Sequence, residues 1–334
     1  MNVMNAQDKT LDQYQQFMKI NAAAHLFRSA RELGLLTELR EGQRTLTQLC
    51  EKLSLKRGAT KLVLDALVAS SIIEQYEEDY ALSRVAHLLC QYDQDLGDAT
   101  WNHLVGHVRE ARESGEDEAT VDDQAYLNSL AATQWVHTPA AMQAAEMLDL
   151  GGEDGVSGLK ILDLGCGSAV WSAAMAHRDQ DAKVTAVDQA AALKAAQSTA
   201  DSIGLGDRFR VMEADPIDAQ LDDAEFDLVL IAQRLGCLGP NEGQKLLSKA
   251  IAALKFGGKL VVIDLFRGPA KPDMSECVEA LKLELGTQHG SMMTLEAIQT
   301  ELAGLGLENA QVTFMPDSRV NMGMAVANRP SEQP

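Results

Sequence analysis

One short segment limits the possible folds of this chain more than any other: DLGCGS, residues 163–168, joins an apolar run to a helical pattern. The run KILDL is typical of a buried parallel strand, and SAVWSAAMAHR, which overlaps the end of the segment, is typical of a helix. Glycines at 165 and 167 allow a tight turn and let a ligand approach the backbone closely. The segment therefore predicts a strand–turn–helix unit with a binding site at the turn.

Strand-like and helix-like segments alternate from residue 159 onward, which predicts an α/β fold. We expect a Rossmann-like, doubly wound, mostly parallel seven-stranded sheet. A long helix, NEGQKLLSKAIAALKFGG, is expected to end at its glycines. The strands are predicted at KILDLG, KVTAVD, RFRVMEAD, FDLVLIAQ, KLVVIDLF, ENAQVTFMP and NMGMAVANR.

The first hundred residues have a different pattern. Residues 11–40 read as helix, because apolar positions such as Phe17, Ile20 and Phe27 recur at three- and four-residue spacing. Thr45 is the predicted N-cap of a short helix, a second helix follows residues 56–58, and EQYEEDYALS predicts a hairpin. This order predicts a mainly helical, winged-helix-like dimerisation domain over residues 1–100. Residues 101–334 are predicted to form the α/β domain, with linking helices over residues 101–150.

Charge and cysteine content narrow the class of protein. A net charge of −20 and an acidic hairpin make nucleic acid an unexpected partner. The five cysteines are scattered and form no CxxC, which favours reduced thiols and no structural metal site. No signal peptide and no membrane-length apolar run are visible in the sequence, so we expect a cytoplasmic protein.

Polar residues end successive predicted strands, and in open α/β sheets ligands bind at these ends. Asp188 is placed to accept hydrogen bonds from two ribose hydroxyls, and Asp215 from an adenine amino group. A dinucleotide site is the alternative, but Val170 stands where the dinucleotide pattern needs a third small residue. The predicted cofactor-binding residues are Asp163, Gly165, Cys166, Gly167, Asp188, Gln189, Ala214, Asp215, Pro216 and Gln233.

These motifs resemble class I S-adenosylmethionine-dependent methyltransferases, and the whole chain resembles the small-molecule O-methyltransferase family of caffeate and hydroxyindole O-methyltransferases. The matching segments are HLFRSARELGLLTEL, YALSRVAHLL, ILDLGCG, AVD, EAD, LKFGGKLVVID and TLEAIQTELAGLGLENAQV. The resemblance implies that S-adenosyl-L-methionine is the cofactor, that the acceptor is a small molecule and that the chain is a homodimer. It also suggests Met4, Phe17, Met18 and Phe27 for the acceptor pocket, with core packing as the alternative.

The sequence departs from the family at the general base. Leu235 matches the leucine of the family's Leu-His pair, but Gly236 occupies the place of the histidine. His289 is the candidate substitute, with a loop residue of no catalytic role as the alternative. Methyl transfer driven by proximity alone is also compatible, since the sulfonium is a good leaving group and placing the acceptor in line supplies much of the gain.

Three functions follow from these observations. The first is methyl transfer to a small, aromatic metabolite. The second is an S-adenosylmethionine-binding enzyme with non-methylating chemistry, which the missing histidine suggests. The third is a non-enzymatic regulator that couples a ligand sensor to a winged helix, against which the acidic hairpin counts.

Overall fold

The computed structural model describes residues 6–92, 98–109, 123–152 and 155–331. The chain divides into two compact units, Met1–Gly97 and Asp98–Pro334. Met4, suggested for the acceptor pocket, lies outside the described residues. None of the described helices is long and apolar enough to cross a lipid bilayer.

The N-terminal unit combines helices with a small antiparallel sheet of strand order β1-β3-β2. Thr45 is the predicted N-cap: its side chain accepts from the Gln48 amide, and the Gln48 side chain accepts in return from the Thr45 amide. The elements are α1 (Ala6–Glu32), α2 (Leu35–Arg40), β1 (Arg44–Thr45), α3 (Leu46–Leu53), α4 (Arg57–Ala69), β2 (Ile73–Tyr76), β3 (Asp79–Leu82) and α5 (Arg84–Tyr92).

Helix α1 separates the residues for which core packing was the alternative to a place in the acceptor pocket. Phe17 is 68% exposed and Met18 is 53% exposed, whereas Phe27 is half-buried against the core of this unit. Periodicity records which residues share a face but not whether a partner covers that face. The core itself is formed by residues that follow the break at Gly34, chiefly Leu35, Leu39, Leu49, Leu64, Leu67, Ile73, Tyr80 and Leu82.

The C-terminal unit begins with helices and continues as alternating strands and helices. Its elements are α6 (Asp98–Arg109), α7 (Asp123–Thr133), a 3₁₀ turn (Gln134–His137), α8 (Thr138–Met147), β4 (Lys160–Leu164), α9 (Val170–Arg178), β5 (Lys183–Asp188), α10 (Ala190–Ser202), β6 (Phe209–Glu213), β7 (Phe226–Ala232), α11 (Pro240–Ala253), β8 (Leu254–Arg267), α12 (Met274–Gly286), β9 (Met293–Thr294), α13 (Leu295–Gly304), β10 (Glu308–Phe314) and β11 (Met322–Asn328).

The sheet confirms the predicted Rossmann-like class. Its strand order is β10-β11-β8-β7-β4-β5-β6, and the pairs among β4 to β8 are parallel. Strand β11 runs antiparallel to both neighbours. The described sheet has eight strands where seven were predicted, because the two residues of β9 pair with Phe266 and Arg267 at the end of β8.

The helix predicted to end at its glycines ends earlier, at Ala253. Leu254 is fully buried with an extended backbone and pairs with Phe226, so it opens strand β8. Gly257 lies within the strand with a left-handed backbone (φ 76°). Burial of Leu254 against the sheet therefore ends the helix, and the glycines do not cap it.

Candidate active site

The carboxyl ends of β4 and β5 are joined through the glycine turn. The amides of Gly165 and Cys166 donate to the carbonyl of Val187, at 2.9 Å and 3.3 Å. Gly165 (φ 76°) and Gly167 (φ 55°) have left-handed backbones, which glycine adopts without strain. The turn leads into the N-terminus of α9, where backbone amides favour a negatively charged or polar ligand group.

Asp188, at the end of β5, binds the backbone of this turn through hydrogen bonds. Its side chain is buried, and its two oxygens accept from the amides of Gly167 at 2.9 Å and Gln189 at 2.8 Å. A carboxylate offers about four acceptor positions. Asp188 therefore holds the turn in place while it retains acceptor capacity for hydroxyl groups.

Asp163 lies at the end of β4 in a much drier position. It is 1% exposed; one oxygen accepts from the Ser172 hydroxyl, and Oδ1 has no partner in the structure. Burial raises the pKa of Asp163 to about 7, with a further contribution from the charge of Asp188. Its predicted neighbour Cys166 is also buried, which raises the thiol pKa well above its ordinary value.

The remaining predicted residues stand at the ends of β6 and β7. The amide of Ala214 donates to the Asp188 carbonyl at 3.1 Å, and half-buried Asp215, followed by buried Pro216, accepts from the Ile217 amide at 2.8 Å. Gln233 (φ 54°) is buried, and its side chain accepts from the Trp171 indole at 3.0 Å.

A cleft brings these strand ends together with helix α7. Gln124, Leu127, Leu130, Ala131 and Gln134 line one side, and Gly165, Gly167, Asp188, Ala192, Gln233 and Arg234 line the other. The structure thus assembles four of the predicted cofactor residues, Gly165, Gly167, Asp188 and Gln233, in one cavity.

Sequence reasoning missed two long side chains that lie on the glycines. An added Cβ at Gly165 would stand 2.8 Å from Arg234 Cγ, and one at Gly167 would stand 2.5 Å from Gln134 Oε1. Gln134 also accepts from the amide and hydroxyl of Ser168, at 2.7 Å and 3.0 Å. Both glycines are therefore packed by these side chains at the place where a Cβ would stand.

Gly236, which occupies the place of the family's histidine, lies beside a second buried carboxylate. This is Asp264, in the second half of β8. Asp264 is 5% exposed and accepts from the Gly236 amide and the Leu265 amide, each at 2.8 Å. Burial raises its pKa to about 6, although backbone amides favour its ionised form. A Cβ at Gly236 would stand 3.1 Å from Asp264 Oδ1, so a larger residue at this position would press against the carboxylate.

His289 lies close to the same turn but faces solvent. Its exposed side chain packs over Gly239, and the nearby Ser291 amide donates to the Gly236 carbonyl at 2.9 Å. The structure thus places His289 on the loop that covers the Gly236 turn, outside the cleft lining named above.

An apolar group adjoins Asp264. Cys237, Leu283 and Met292 form a small core against which Tyr126 and Leu127 pack. Burial, then the charges of Cys237 and Asp264, raises the pKa of the Tyr126 phenol. Behind the cleft, half-buried His137 stacks on Trp171 with ring centroids 6.0 Å apart, and burial lowers its pKa. Among the described residues, no group of three or more His, Cys, Asp or Glu could hold a metal ion.

Comparison with known proteins identifies the segment that carries this cleft. Residues 161–258 match the family model described as a methyltransferase domain. The release factor glutamine methyltransferase of Chlorobaculum tepidum is 40% identical over 91 residues, which are 26% of this chain and 31% of that protein. The chain spans about a third of the length of the curated relatives that it matches.

Solved structures share the fold over nearly the whole chain. The mitomycin 7-O-methyltransferase has a TM-score of 0.71 and 19% identity, with 97% of this chain and 99% of that chain covered. Human N-acetylserotonin methyltransferase, solved in complex with its cofactor, has a TM-score of 0.69 and 16% identity, with 99% and 100% covered. At these identities the likeness establishes a common fold.

Proposed function

We propose that the chain transfers a methyl group from S-adenosylmethionine to a small molecule, because residues 161–258 match a methyltransferase domain and the chain shares its fold with solved O-methyltransferases. The observation that carries the proposal is the junction of the glycine turn with Asp188. A buried carboxylate that binds the turn and still has free acceptor positions is suited to a ribose.

The residues of the cleft fit this cofactor. Gly165 and Gly167 add no Cβ to the turn, and Arg234 Nε is a buried donor without a partner. In the proposed arrangement the methionine part of the cofactor lies against Asp163, Gly165, Cys166 and Gly167. The ribose contacts Asp188 and Gln189, and the adenine contacts Ala214, Asp215 and Pro216. Gln233 borders the site after the end of β7. When bound, the cofactor supplies a methyl group on a positively charged sulfur, which is a good leaving group.

Asp264 is the proposed proton acceptor. With a pKa of about 6 it is mostly ionised at neutral pH, so its oxygen can take a proton from an acceptor hydroxyl or amine. Gly236 lies next to this carboxylate, where the Cβ of a larger residue would crowd it. His289, the candidate from the sequence, is the second proposed base because its loop binds the Gly236 turn.

The acceptor is proposed to be a small aromatic compound. Tyr126, Leu127, Leu283 and Met292 give the neighbourhood of Asp264 an apolar and partly aromatic lining. Apolar walls with a few convergent polar groups are the usual construction of small-molecule pockets. This combination favours a flat, weakly acidic phenol over a polar acceptor.

The N-terminal unit is proposed to dimerise through α1. Leu11, Tyr14, Phe17, Met18 and Ile20 are each more than half exposed on this helix. Several exposed large apolar side chains on one helix are typical of an interaction surface. Sedimentation of the Phe17→Glu variant is expected to give monomers where the unaltered chain gives dimers. The Met274→Glu variant, which alters an exposed apolar residue of the C-terminal unit, is the control.

The two other functions suggested by the sequence predict different behaviour. A regulator is disfavoured because Glu74, Glu77 and Glu78 are exposed on the hairpin and would repel a phosphate backbone. An enzyme with non-methylating chemistry would bind the cofactor and release it unchanged. Binding of DNA at low salt would favour the regulator, and turnover without methylation would favour the enzyme with non-methylating chemistry.

The experiment that tests the proposal has two parts. Calorimetric titration with S-adenosylmethionine and S-adenosylhomocysteine is expected to show one site per chain for each. A screen of phenols with methyl-labelled cofactor is then expected to yield a labelled product. Failure of the unaltered chain to bind either compound would refute the proposal. Binding without any methylated product would favour the enzyme with non-methylating chemistry.

A further inference from the structure

The loop that follows α12, residues 287–291, is joined to the Gly236 turn by a backbone hydrogen bond. The amide of Ser291 donates to the carbonyl of Gly236 at 2.9 Å. The amide of Gly236 in turn donates to Asp264 Oδ2 at 2.8 Å. Glycine has more backbone freedom than other residues, so the orientation of this amide depends on what holds the rest of Gly236. The loop supplies that bond from the carbonyl side.

Thr287 shapes this loop through its hydroxyl. The residue is 2% exposed; its hydroxyl donates to the Leu283 carbonyl at 2.7 Å and accepts from the Gly290 amide at 2.9 Å. An added Cβ at Gly290 would collide with Thr287 Oγ1, so the hydroxyl packs directly on this glycine. Gly290 immediately precedes Ser291. The hydroxyl of Thr287 therefore fixes the backbone one residue before the amide that binds Gly236.

We propose that Thr287 is a positioning residue for Asp264, an inference that rests on the proposed function of Asp264 as the proton acceptor. Thr287 holds Gly290, the Ser291 amide holds Gly236, and the Gly236 amide donates to the carboxylate. A donor of this kind stabilises the ionised form of a carboxylate. Without the hydroxyl the loop loosens, and Asp264 becomes harder to ionise although its own side chain is unchanged.

Other titratable groups surround Asp264, and the test must separate them from it. They are Tyr126 of α7, Cys237 of the Gly236 turn, Glu279 of α12 and the exposed His289 of the loop itself. The flanking strand β11 adds none at this level, because the register partner of Asp264 there is Gly323. Each chain is therefore compared with its own Asp264→Asn counterpart, so that contributions shared by the two cancel.

Thr287→Val removes the hydroxyl and keeps the shape of the side chain. Unfolding free energies are measured between about pH 4 and pH 9 for the unaltered chain and for this variant, each with and without Asp264→Asn. Because the folded pKa of Asp264 is raised above 3.8, its carboxylate costs stability as the pH rises, until the folded pKa is passed. The difference is expected to level off above about pH 6 in the unaltered chain and above about pH 7 in Thr287→Val.

Methyl transfer gives a second readout. Near pH 6 the Thr287→Val variant is expected to have a kcat/KM about fivefold below that of the unaltered chain, because fewer Asp264 carboxylates are ionised. Above about pH 8 the two values should agree within about twofold. A general structural defect would lower kcat/KM at every pH. Thr287→Ser retains the hydroxyl and is expected to restore the profile of the unaltered chain.

Thr60→Val is the matched control. Thr60 is 5% exposed, and its hydroxyl also donates to the carbonyl four residues earlier, that of Lys56, at 3.0 Å, but it belongs to the N-terminal unit. This variant is expected to leave the ionisation of Asp264 unchanged. If Thr287→Val does not fold, Gly290→Ala takes its place, since the added methyl group separates the hydroxyl from the Gly290 amide.

The remaining outcomes distinguish this inference from the proposed function. If the difference levels off at the same pH in Thr287→Val and in the unaltered chain, Thr287 does not position Asp264 and the proposal is overturned. An equal shift in Thr60→Val would overturn it as well. If the unaltered chain transfers no methyl group but Thr287→Val still shifts the ionisation of Asp264, the proposed function fails and the positioning role stands.

Discussion

Two buried carboxylates stand at the ends of strands of one sheet, and their surroundings differ. Asp163, at the end of β4, has one hydroxyl donor and one oxygen without a partner, and burial raises its pKa to about 7. Asp264, on β8, accepts from the backbone amides of Gly236 and Leu265, and its pKa is raised only to about 6.

The difference between the two pKa values follows from the hydrogen-bond donors that each carboxylate accepts from. Backbone amides are fixed dipoles that stabilise an ionised carboxylate, whereas a single hydroxyl compensates less of the loss of water. At pH 7 Asp264 is therefore mostly charged, and Asp163 is divided between its two forms. The proposed proton acceptor is therefore a carboxylate that is charged at neutral pH, whereas the charge of Asp163 is costly.

The largest expected effect concerns Asp264. If this carboxylate accepts the proton, Asp264→Asn should lower kcat about 10²- to 10³-fold, in the range of general-base catalysis. The affinity for S-adenosylhomocysteine should change by less than about twofold. In the unaltered chain kcat/KM should fall as the pH drops below about 6, because protonated Asp264 cannot accept, and the variant should lack this decline.

His289→Ala distinguishes the two proposed bases. This exposed side chain can be removed with little effect on packing, so the variant should retain turnover within a few-fold of the unaltered chain. A large loss in His289→Ala together with a small loss in Asp264→Asn would reverse the assignment. Steady-state rates with an acceptor found in the screen give both values.

The next effect concerns the cost of charge at Asp163. Its folded pKa lies above the unfolded value of 3.8, so its contribution to stability is complete below pH 3.8 and is lost as the pH rises toward 7. Between pH 5 and pH 8 the unaltered chain should lose roughly 3 kcal/mol of unfolding free energy relative to Asp163→Asn.

Denaturant unfolding of both chains at several pH values measures that difference. Asp207→Asn removes a carboxylate from the surface and should show a nearly constant difference over the same range. If the difference in unfolding free energy between the unaltered chain and Asp163→Asn did not change with pH, the carboxylate would keep its ordinary acidity in spite of its burial.

The same contrast explains how much could be predicted from the sequence. The glycine turn and Asp188 are recognisable because strand, turn and helix are contiguous, so local pattern fixes their geometry. Asp264 gives the same signal, an acid near the end of the apolar strand KLVVIDLF, and could have been found by it. Gln134 and Arg234 gave none, because they reach the glycines from the 3₁₀ turn after α7 and from the end of β7, which are distant in the sequence from the turn.

Asp188 provides a smaller and more local test of the cofactor side. Asp188→Ala removes the proposed acceptor of the ribose hydroxyls and leaves the amides of Gly167 and Gln189 without their partner. The affinity for S-adenosylhomocysteine should fall by about 1–3 kcal/mol, which is the scale of hydrogen bonds to a charged group. Calorimetry measures it, and an unchanged affinity would remove Asp188 from the proposed site.

The smallest expected effect is that of a methyl group at Gly236. The added Cβ would stand 3.1 Å from Asp264 Oδ1, closer than ordinary van der Waals contact, so the carboxylate must move by a few tenths of an ångström. Gly236→Ala should cost about 1 kcal/mol, a decrease in melting temperature of about 2–4 °C. Turnover should fall by about tenfold or less while cofactor affinity is unchanged, since the displaced group lies on the acceptor side. If Gly236→Ala instead weakened cofactor binding and left turnover intact, the two sides of the cleft would not be separable as proposed, and Asp264 would belong to the cofactor side.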